Sequence, residues 1–245
     1  NVNYTLPLRK IKILDWTKLT TKYSASYEWR NAPPASKSLG NTIQNSRSIA
    51  VNGNLNFVSL YNKVPFLKKI NRPPPRKKLT KDLDENGEDK VNKEEQKEGM
   101  SSAARSLFKF IMMLKQAQFG ATFTDGTTLP GFTPSIDLLG QNFGKNTPGF
   151  PFILGAQDET FRNTIAANGF LTTDTNQIAR YLNLSSVDIT GSATIEPIKG
   201  FRISVNFNKR QSFNVTSNFR YSQTQADFDD VFYTEVGTFT TSFGS

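Results

Sequence analysis

Apolar and polar residues alternate with a period of two along much of this chain. The alternation is clearest in four segments: 17–30, 47–59, 186–196 and 201–208. Three further segments alternate more weakly: 1–6, 106–124 and 233–243. Successive side chains of a strand point to opposite faces of its sheet, so these segments are predicted to form about seven β-strands.

Two of these segments allow a second interpretation. Residues 108–114 are apolar on both faces, so they are also compatible with the end of a short helix that begins near residue 101. The alternation after residue 201 continues to residue 221, which predicts one long strand. A hairpin at Asn208–Gln211 is the alternative, because that stretch is polar enough for a turn.

Each predicted strand has an uncharged face and a polar face. The uncharged faces carry Tyr23, Ala25, Tyr27, Trp29, Ile49, Val51, Leu55, Phe57, Val187, Ile189, Ile195, Phe201, Ile203, Val205 and Phe207. The polar faces carry Lys22, Ser24, Ser26, Glu28, Asn52, Asn54, Asn56, Asp188, Thr190, Arg202, Ser204 and Asn206.

The connections between the strands fall into two groups. Prolines with basic or apolar neighbours occur at residues 6–11, 64–70 and 196–201, and proline is excluded from central strands. If each strand crosses the sheet once, these three connections lie on one side. The connections at 31–42, 125–183 and 223–230 then lie on the opposite side.

The length of the strands favours a membrane over a soluble sandwich. Strands of soluble domains are usually about 5–6 residues long, whereas transmembrane β-strands need about 9–11 tilted residues that are apolar outside and polar inside. Backbone groups in lipid must all be paired, which only a closed barrel achieves with strands. We therefore predict an all-β fold, namely a wall segment of a much larger transmembrane antiparallel β-barrel. The first residue set above would face lipid and the second the lumen, with Tyr27 and Trp29 at the headgroups.

This interpretation divides the chain into five parts. Residues 1–67 would supply barrel strands 1–3, residues 101–124 strand 4, and residues 184–245 strands 5–7. Residues 68–100 are rich in charge and proline, and are predicted to be a disordered tether on the periplasmic side. Residues 125–183 would be a folded insertion that caps the outer mouth or plugs the lumen, with short helices at 160–167 and 177–182. Since neither end strand has a partner, the chain is interpreted as a fragment of a longer protein.

The composition excludes several classes of catalytic and metal-binding site. The chain has 36% hydrophobic residues and a formal net charge of +9, and it has no histidine and no cysteine. Ser-His-Asp triads, thiol nucleophiles, Cys/His zinc sites and disulfides are therefore excluded. The remaining carboxylates form no recognisable acid/base pair, so no enzyme activity, no cofactor, no metal site and no nucleic-acid binding is predicted.

Several segments resemble the SprA family of gliding-motility and secretion proteins, in the same order along the chain. They are T-I-Q-N-S-R-S-I-A-V-N-G-N-L-N-F-V-S-L-Y-N-K-V-P-F-L-K-K-I-N (42–71), F-I-M-M-L-K (110–115), T-L-P-G-F-T-P-S (128–135), F-I-L-G-A-Q (152–157), N-G-F-L-T (168–172) and I-E-P-I-K-G-F-R-I (195–203). The charged segment in between resembles nothing in the family.

The resemblance implies a role in protein transport. Members of this family are outer-membrane barrels of about 36 strands that form the translocon of the type 9 secretion system. They export folded cargo and support gliding motility in Gram-negative bacteria. The implied partners are outer-membrane lipid, the rest of the same barrel, a shuttle-type barrel protein, a periplasmic plug and secreted cargo proteins.

Two other classes of protein remain open at this stage. One is a different outer-membrane barrel, such as a porin or a nutrient receptor, and barrel size distinguishes it. The other is a soluble surface β-domain for adhesion or glycan binding, which would stay soluble without detergent.

Overall fold

The computed structural model describes residues 1–71 and 102–244, which form a single antiparallel sheet of seven strands. Every strand pairs with its neighbours along the chain, in the order β1 to β7. The strands are β1 (Val2–Thr5), β2 (Thr17–Arg30), β3 (Asn41–Asn56), β4 (Leu114–Phe132), β5 (Tyr181–Ile198), β6 (Phe201–Ser222) and β7 (Asp227–Gly244). The prediction of an all-β chain with about seven strands is therefore confirmed, and the described sheet is open at β1 and β7.

The helices are short and lie outside the sheet. They are α1 (Phe57–Lys63), α2 (Pro65–Asn71), α3 (Ser102–Ile111), α4 (Phe150–Ile153) and α5 (Phe161–Ala167). Short 3₁₀ segments occur at Leu8–Lys10, Pro34–Leu39 and Leu138–Gly140. The short helix proposed before β4 is α3, and the one proposed at 160–167 is α5.

Consecutive strands run in opposite directions, so the connections divide between two ends of the sheet. The lower end holds residues 6–16, 57–71, 102–113 and 199–200, and the upper end holds 31–40, 133–180 and 223–226. The segment 133–180 is called the insertion below. Strand β6 continues through Asn208–Gln211 without a turn, because these residues pair with β5 and β7 along the whole stretch.

The buried core lies at the upper end, between the sheet and the insertion. It comprises Ile43, Leu129, Phe132, Phe152, Ile165, Leu171, Tyr181 and Phe219. Five of these residues lie on strands and three in the insertion, so the insertion is a folded layer that covers one part of one face. Burying such large apolar side chains stabilises this layer by roughly 1.5–3 kcal/mol each.

Several predicted boundaries were wrong, mostly at the upper end. Strands β3, β5 and β7 begin about five or six residues earlier than the alternation indicated, and β4 extends to Phe132. The predicted insertion 125–183 is therefore shorter. Residues 177–182 are not helical, since β5 begins at Tyr181. The strand predicted to reach residue 59 ends at Asn56, and α1 follows it.

The charged tether predicted at 68–100 lies almost entirely outside the described residues. Only its first residues belong to α2, which ends at Asn71.

Candidate functional site

The register brings the predicted polar residues together on one face of the sheet, called the polar face below. One transverse row runs from Asn52 through Gly120 and Thr190 to Asn208, and the next row joins Asn54, Gln118, Ser192 and Asn206. Strand β2 adds Lys22, Ser24 and Ser26, opposite Ala50, Ser48 and Ser46. The hydroxyl groups of Ser26 and Ser46 are 2.7 Å apart, which is a hydrogen bond.

The polar face is concave. A hollow of about 560 Å³ on this face spans five neighbouring strands, from Lys18 and Thr20 on β2 to Asn206 and Asn208 on β6. Asparagine, glutamine, serine and threonine are the commonest residues of its lining, to which Phe119 and Phe207 also contribute. Charged residues are sparse here, and Arg210 forms an ion pair with Asp188. The surface thus offers many hydrogen-bonding side chains.

The opposite face, called the apolar face below, carries a band of large side chains in its lower part. Ile49, Phe123 and Val187 share one row, and Val51, Ala121 and Ile189 share the next. On β5 the apolar face stays uncharged over a span of nine residues, from Val187 to Ile195, at every second position. That length matches the strand segment needed to cross a hydrocarbon layer at a tilt.

Aromatic rings fill the space above the glycines of this band. Phe119 pairs with Gly53 on one side and Gly191 on the other. A Cβ added at Gly53 would overlap the Phe119 ring, so glycine is required for that ring to lie flat on the sheet. Phe119 itself remains 43% exposed and Phe123 remains 40% exposed.

No second layer covers this band within the described part of the chain, except where the insertion reaches the Tyr23 hydroxyl. Tyr23, Val51, Ile189 and Val205 all lie on the apolar face, and none of them belongs to the buried core. Val205 is 38% exposed. A soluble sandwich would bury these side chains against a second sheet, so the arrangement differs from that architecture.

Polar residues end the band at its upper edge. Arg47 on β3 forms an ion pair of 2.8 Å with Asp125 on β4, and the Ser185 hydroxyl donates to Asp125 over 2.9 Å. These three residues occupy the row directly above Ile49 and Val187. One further charged residue, Lys209, lies on the apolar face within the band, opposite Ile189, with its ammonium 5.3 Å from the Phe239 ring centroid. The alternation did not predict these polar residues on the apolar face.

The insertion packs on the apolar face above this edge, whereas the sequence analysis expected it to cap the outer mouth or to plug a lumen lined by the polar face. Tyr27 and Trp29 pack against the core, and Phe152 meets Tyr27 edge-on at 6.1 Å. The predicted headgroup position of this pair is therefore wrong, because protein covers both rings. Tyr23 donates a hydrogen bond to the Leu154 carbonyl, and Ala25 lies against Gly155.

Two residues at the lower end also depart from their predicted roles. Phe57, predicted to face lipid from a strand, is the first residue of α1 and packs against Trp16 at 5.4 Å. Asn56, predicted to line the lumen, accepts a hydrogen bond from the Ser59 backbone over 3.0 Å. An asparagine in that position caps a helix, which is why the strand stops there.

Asn45 is the main polar link between the sheet and the insertion. Its side-chain amide is buried and donates to the Phe152 and Ala156 carbonyls, each over 2.9 Å. Its oxygen accepts from the Thr127 backbone and from Gln157. All of its hydrogen-bonding capacity is thus used, as burial of an amide requires.

Arg162 forms the second link, between α5 and the last two strands. Its guanidinium makes two hydrogen bonds to Asp230, of 2.8 and 2.6 Å, and Ser217 donates to the same carboxylate over 2.6 Å. The guanidinium also lies 4.7 Å from the Tyr181 ring and 4.9 Å from the Phe219 ring. This geometry combines bidentate pairing with cation–π contact.

Burial raises the pKa of the Tyr61 hydroxyl, which donates to the carbonyls of Ile111 and Leu114 over 2.9 and 3.0 Å. These two bonds tie α1 to the end of α3 and the start of β4. The side chain therefore stays protonated and holds the lower end together through the physiological pH range.

The structure adds residues to both faces that the sequence analysis did not name. Polar-face additions are Gln118, Thr122, Thr124, Ser212, Thr238 and Thr240, and apolar-face additions are Phe119, Phe123, Phe239 and Phe243. The alternation within 117–123 and 233–243 already indicated in the sequence which face these residues of β4 and β7 occupy.

In the described residues, no group of three or more His, Cys, Asp or Glu side chains is arranged to hold a metal ion. None of the helices in this part of the chain is both long and apolar enough to cross a membrane.

The sequence matches no protein-family model, and no curated protein matches it significantly.

Proposed function

We propose that this chain forms part of the wall of an outer-membrane β-barrel that conducts folded proteins, in the manner of the type 9 secretion translocon that its sequence resembles. The observation that carries the proposal is the division of one continuous sheet into a concave polar face and an uncovered apolar band. Lipid would contact the band, and water and cargo would contact the polar face.

The composition of the polar face supports a conduit for proteins. Asn52, Thr190 and Asn206 represent a surface that hydrogen-bonds to water and presents few apolar contacts on which a passing protein would stick. A glycan-binding surface would instead be expected to carry aromatic platforms on this face. The aromatic residues of β4 and β6 in this region, Phe119 and Phe207, belong to the apolar face.

The upper edge of the band supports its placement in a bilayer. Arg47 and Asp125 mark this edge, and the insertion begins to cover the face immediately above them. Below the edge, β5 carries no charged residue on the apolar face between Val187 and Ile195, as is typical of a membrane wall, and Lys209 of β6 is the charged neighbour of Ile189 in the band.

Neighbouring residues on opposite faces of one strand provide the test. The chain has no cysteine, so single cysteines can be introduced at Val51 and Asn52, and at Ile189 and Thr190, in the full protein in its native membrane. A water-soluble maleimide is expected to modify Asn52→Cys and Thr190→Cys at least tenfold faster than Val51→Cys and Ile189→Cys.

Transport of folded protein needs a further measurement at the same positions. A photo-crosslinker attached at Asn52→Cys should capture a folded cargo that is stalled in transit, and the same probe at Val51→Cys should not. Equal labelling of both faces would contradict the membrane wall. Correct labelling without cargo capture would favour a porin or nutrient receptor instead.

A further inference from the structure

The lower end of the sheet exposes two kinds of side chain in close succession, large apolar ones and basic ones. Ile198 is 72% exposed and Phe201 is 57% exposed, and Lys199 and Arg202 alternate with them along the chain. Ile13 is exposed near Arg9 and Lys12 in the first connection.

Helix α3 repeats this combination. Leu107, Phe110 and Ile111 are all at least half exposed, and their spacing of three and four residues places them on one side of the helix. Lys109 is exposed between them. Phe66 of α2 meets Phe108 edge-on at 5.3 Å, so α2 supports the helix from its other side. Tyr61 fixes the helix end through the Ile111 carbonyl.

The charge of the lower end is positive. Its acidic residues in the described part of the chain are Asp15, which is paired with Lys63, and Glu196, which accepts a hydrogen bond from the Gly200 backbone. The intervening residues 72–101 contain equal numbers of acidic and basic residues in the sequence, so they add no net charge.

The exposed apolar residues also continue the apolar band. Phe201, Ile203 and Val205 have the same parity on β6, and Ile198 pairs with Phe201 across the turn. The apolar surface therefore runs from the band to the lower end without a polar row. The upper edge differs, since Arg47 and Asp125 interrupt the surface there.

We infer that the lower end binds the headgroups of anionic phospholipids. Leu107, Phe110 and Phe201 would enter the boundary between headgroups and acyl chains, and Lys109 and Lys199 would contact the phosphates. Basic residues beside an exposed apolar helix face are the combination that binds anionic membrane surfaces. The inference rests on the proposed function, because it takes from there that the lower end of the sheet faces a lipid bilayer.

Lipid selectivity tests this inference. The full chain is reconstituted in phosphatidylcholine vesicles that contain spin-labelled phosphatidylglycerol or spin-labelled phosphatidylcholine, and the bound fraction of each is measured. We expect at least a threefold preference for phosphatidylglycerol at low salt, decreasing toward one at high salt.

Variants that lack basic side chains show which end of the sheet causes the preference for phosphatidylglycerol. The double variant Lys109→Gln and Lys199→Gln should abolish the preference. The matched double variant Arg30→Gln and Lys37→Gln, at the upper end, should retain it. No preference in the unmodified chain, or an equal loss in both variants, would overturn the inference, and the first result would point to an acidic protein partner.

A depth measurement separates this inference from the proposed function. A fluorophore at Phe110→Cys should be quenched by brominated acyl chains in vesicles that contain phosphatidylglycerol. A fluorophore at Ile189→Cys reports on the wall itself. Quenching at Ile189 without quenching at Phe110 overturns the headgroup site alone, whereas no quenching at Ile189 overturns the membrane wall.

Discussion

Single polar residues at the boundary between the sheet and the insertion hold the insertion in place. Asn45 and Arg162 each connect it to the sheet through several hydrogen bonds, and both lie among large apolar side chains. A buried polar group that loses its partner costs more than the bond itself contributes, so these positions are sensitive to substitution in a way that exposed ion pairs are not.

Substitution of Arg162 by methionine should loosen the insertion. The change removes both hydrogen bonds to Asp230 and leaves that carboxylate, whose side chain is 27% exposed, without its cation. We expect a loss of roughly 2–3 kcal/mol in the stability of the docked insertion, less than for a fully buried pair. Native-state cleavage of the insertion by chymotrypsin measures this loss as a faster rate.

Arg30→Met is the matched control for that substitution. Arg30 pairs with Glu28, but both side chains are more than half exposed, and pairs of this kind contribute about 0–1 kcal/mol. A similar increase in cleavage for both variants would contradict the anchoring role of Arg162.

At the scale of one strand, β5 carries the sharpest contrast between adjacent residues. Ile189 lies in the apolar band and Thr190 lines the polar hollow. A lysine in the middle of a lipid-facing strand costs about 2–4 kcal/mol, whereas a lumen-facing lysine is solvated. Ile189→Lys should therefore reduce the amount of folded protein in the membrane, and Thr190→Lys should leave it nearly unchanged.

Folded protein can be counted by heat-modifiable migration in electrophoresis. Equal amounts of folded protein for the two lysine variants would mean that lipid does not contact Ile189.

The strands could be predicted from the sequence where each face meets one kind of surroundings. Val187 to Glu196 alternates cleanly because one face is apolar throughout and the other polar. The upper parts of β3, β4 and β5 were missed because Asn45, Thr127 and Asn183 lie on the apolar face there. Their partners come from the insertion or neighbouring strands, and alternation within one strand contains no information about such contacts.

The same limit explains the error at Tyr27 and Trp29. Parity correctly placed both rings on the apolar face, but it did not indicate which material covers that face. The insertion is distant in sequence, so its packing against β2 depends on tertiary contacts such as that between Gly140 and the Tyr27 ring. The sequence therefore predicted the face of the sheet on which Tyr27 and Trp29 lie, but it did not predict that the insertion packs against them.

At the scale of the whole molecule, the apolar band should dominate its behaviour in water. An open sheet with an uncovered apolar face and unpaired edges is prone to association. We expect the full chain to partition into the detergent phase of Triton X-114.

Replacement of Ile49, Val51, Val187 and Ile189 by threonine should move the chain toward the aqueous phase, because threonine retains the branched shape and strand propensity while removing apolar surface. An unmodified chain that stays in the aqueous phase as a monomer would favour the soluble adhesion or glycan-binding domain.

The location of the insertion affects the width of the passage that the proposed barrel would enclose. Residues 133–180 are stacked on the face opposite the polar one, so a passage lined by the polar face, as proposed above, would keep its full bore at this point of the circumference. In such a barrel the insertion would thicken the wall from outside. Gating at this sector would then depend on segments other than the insertion, since the described part of the insertion does not extend over the polar face.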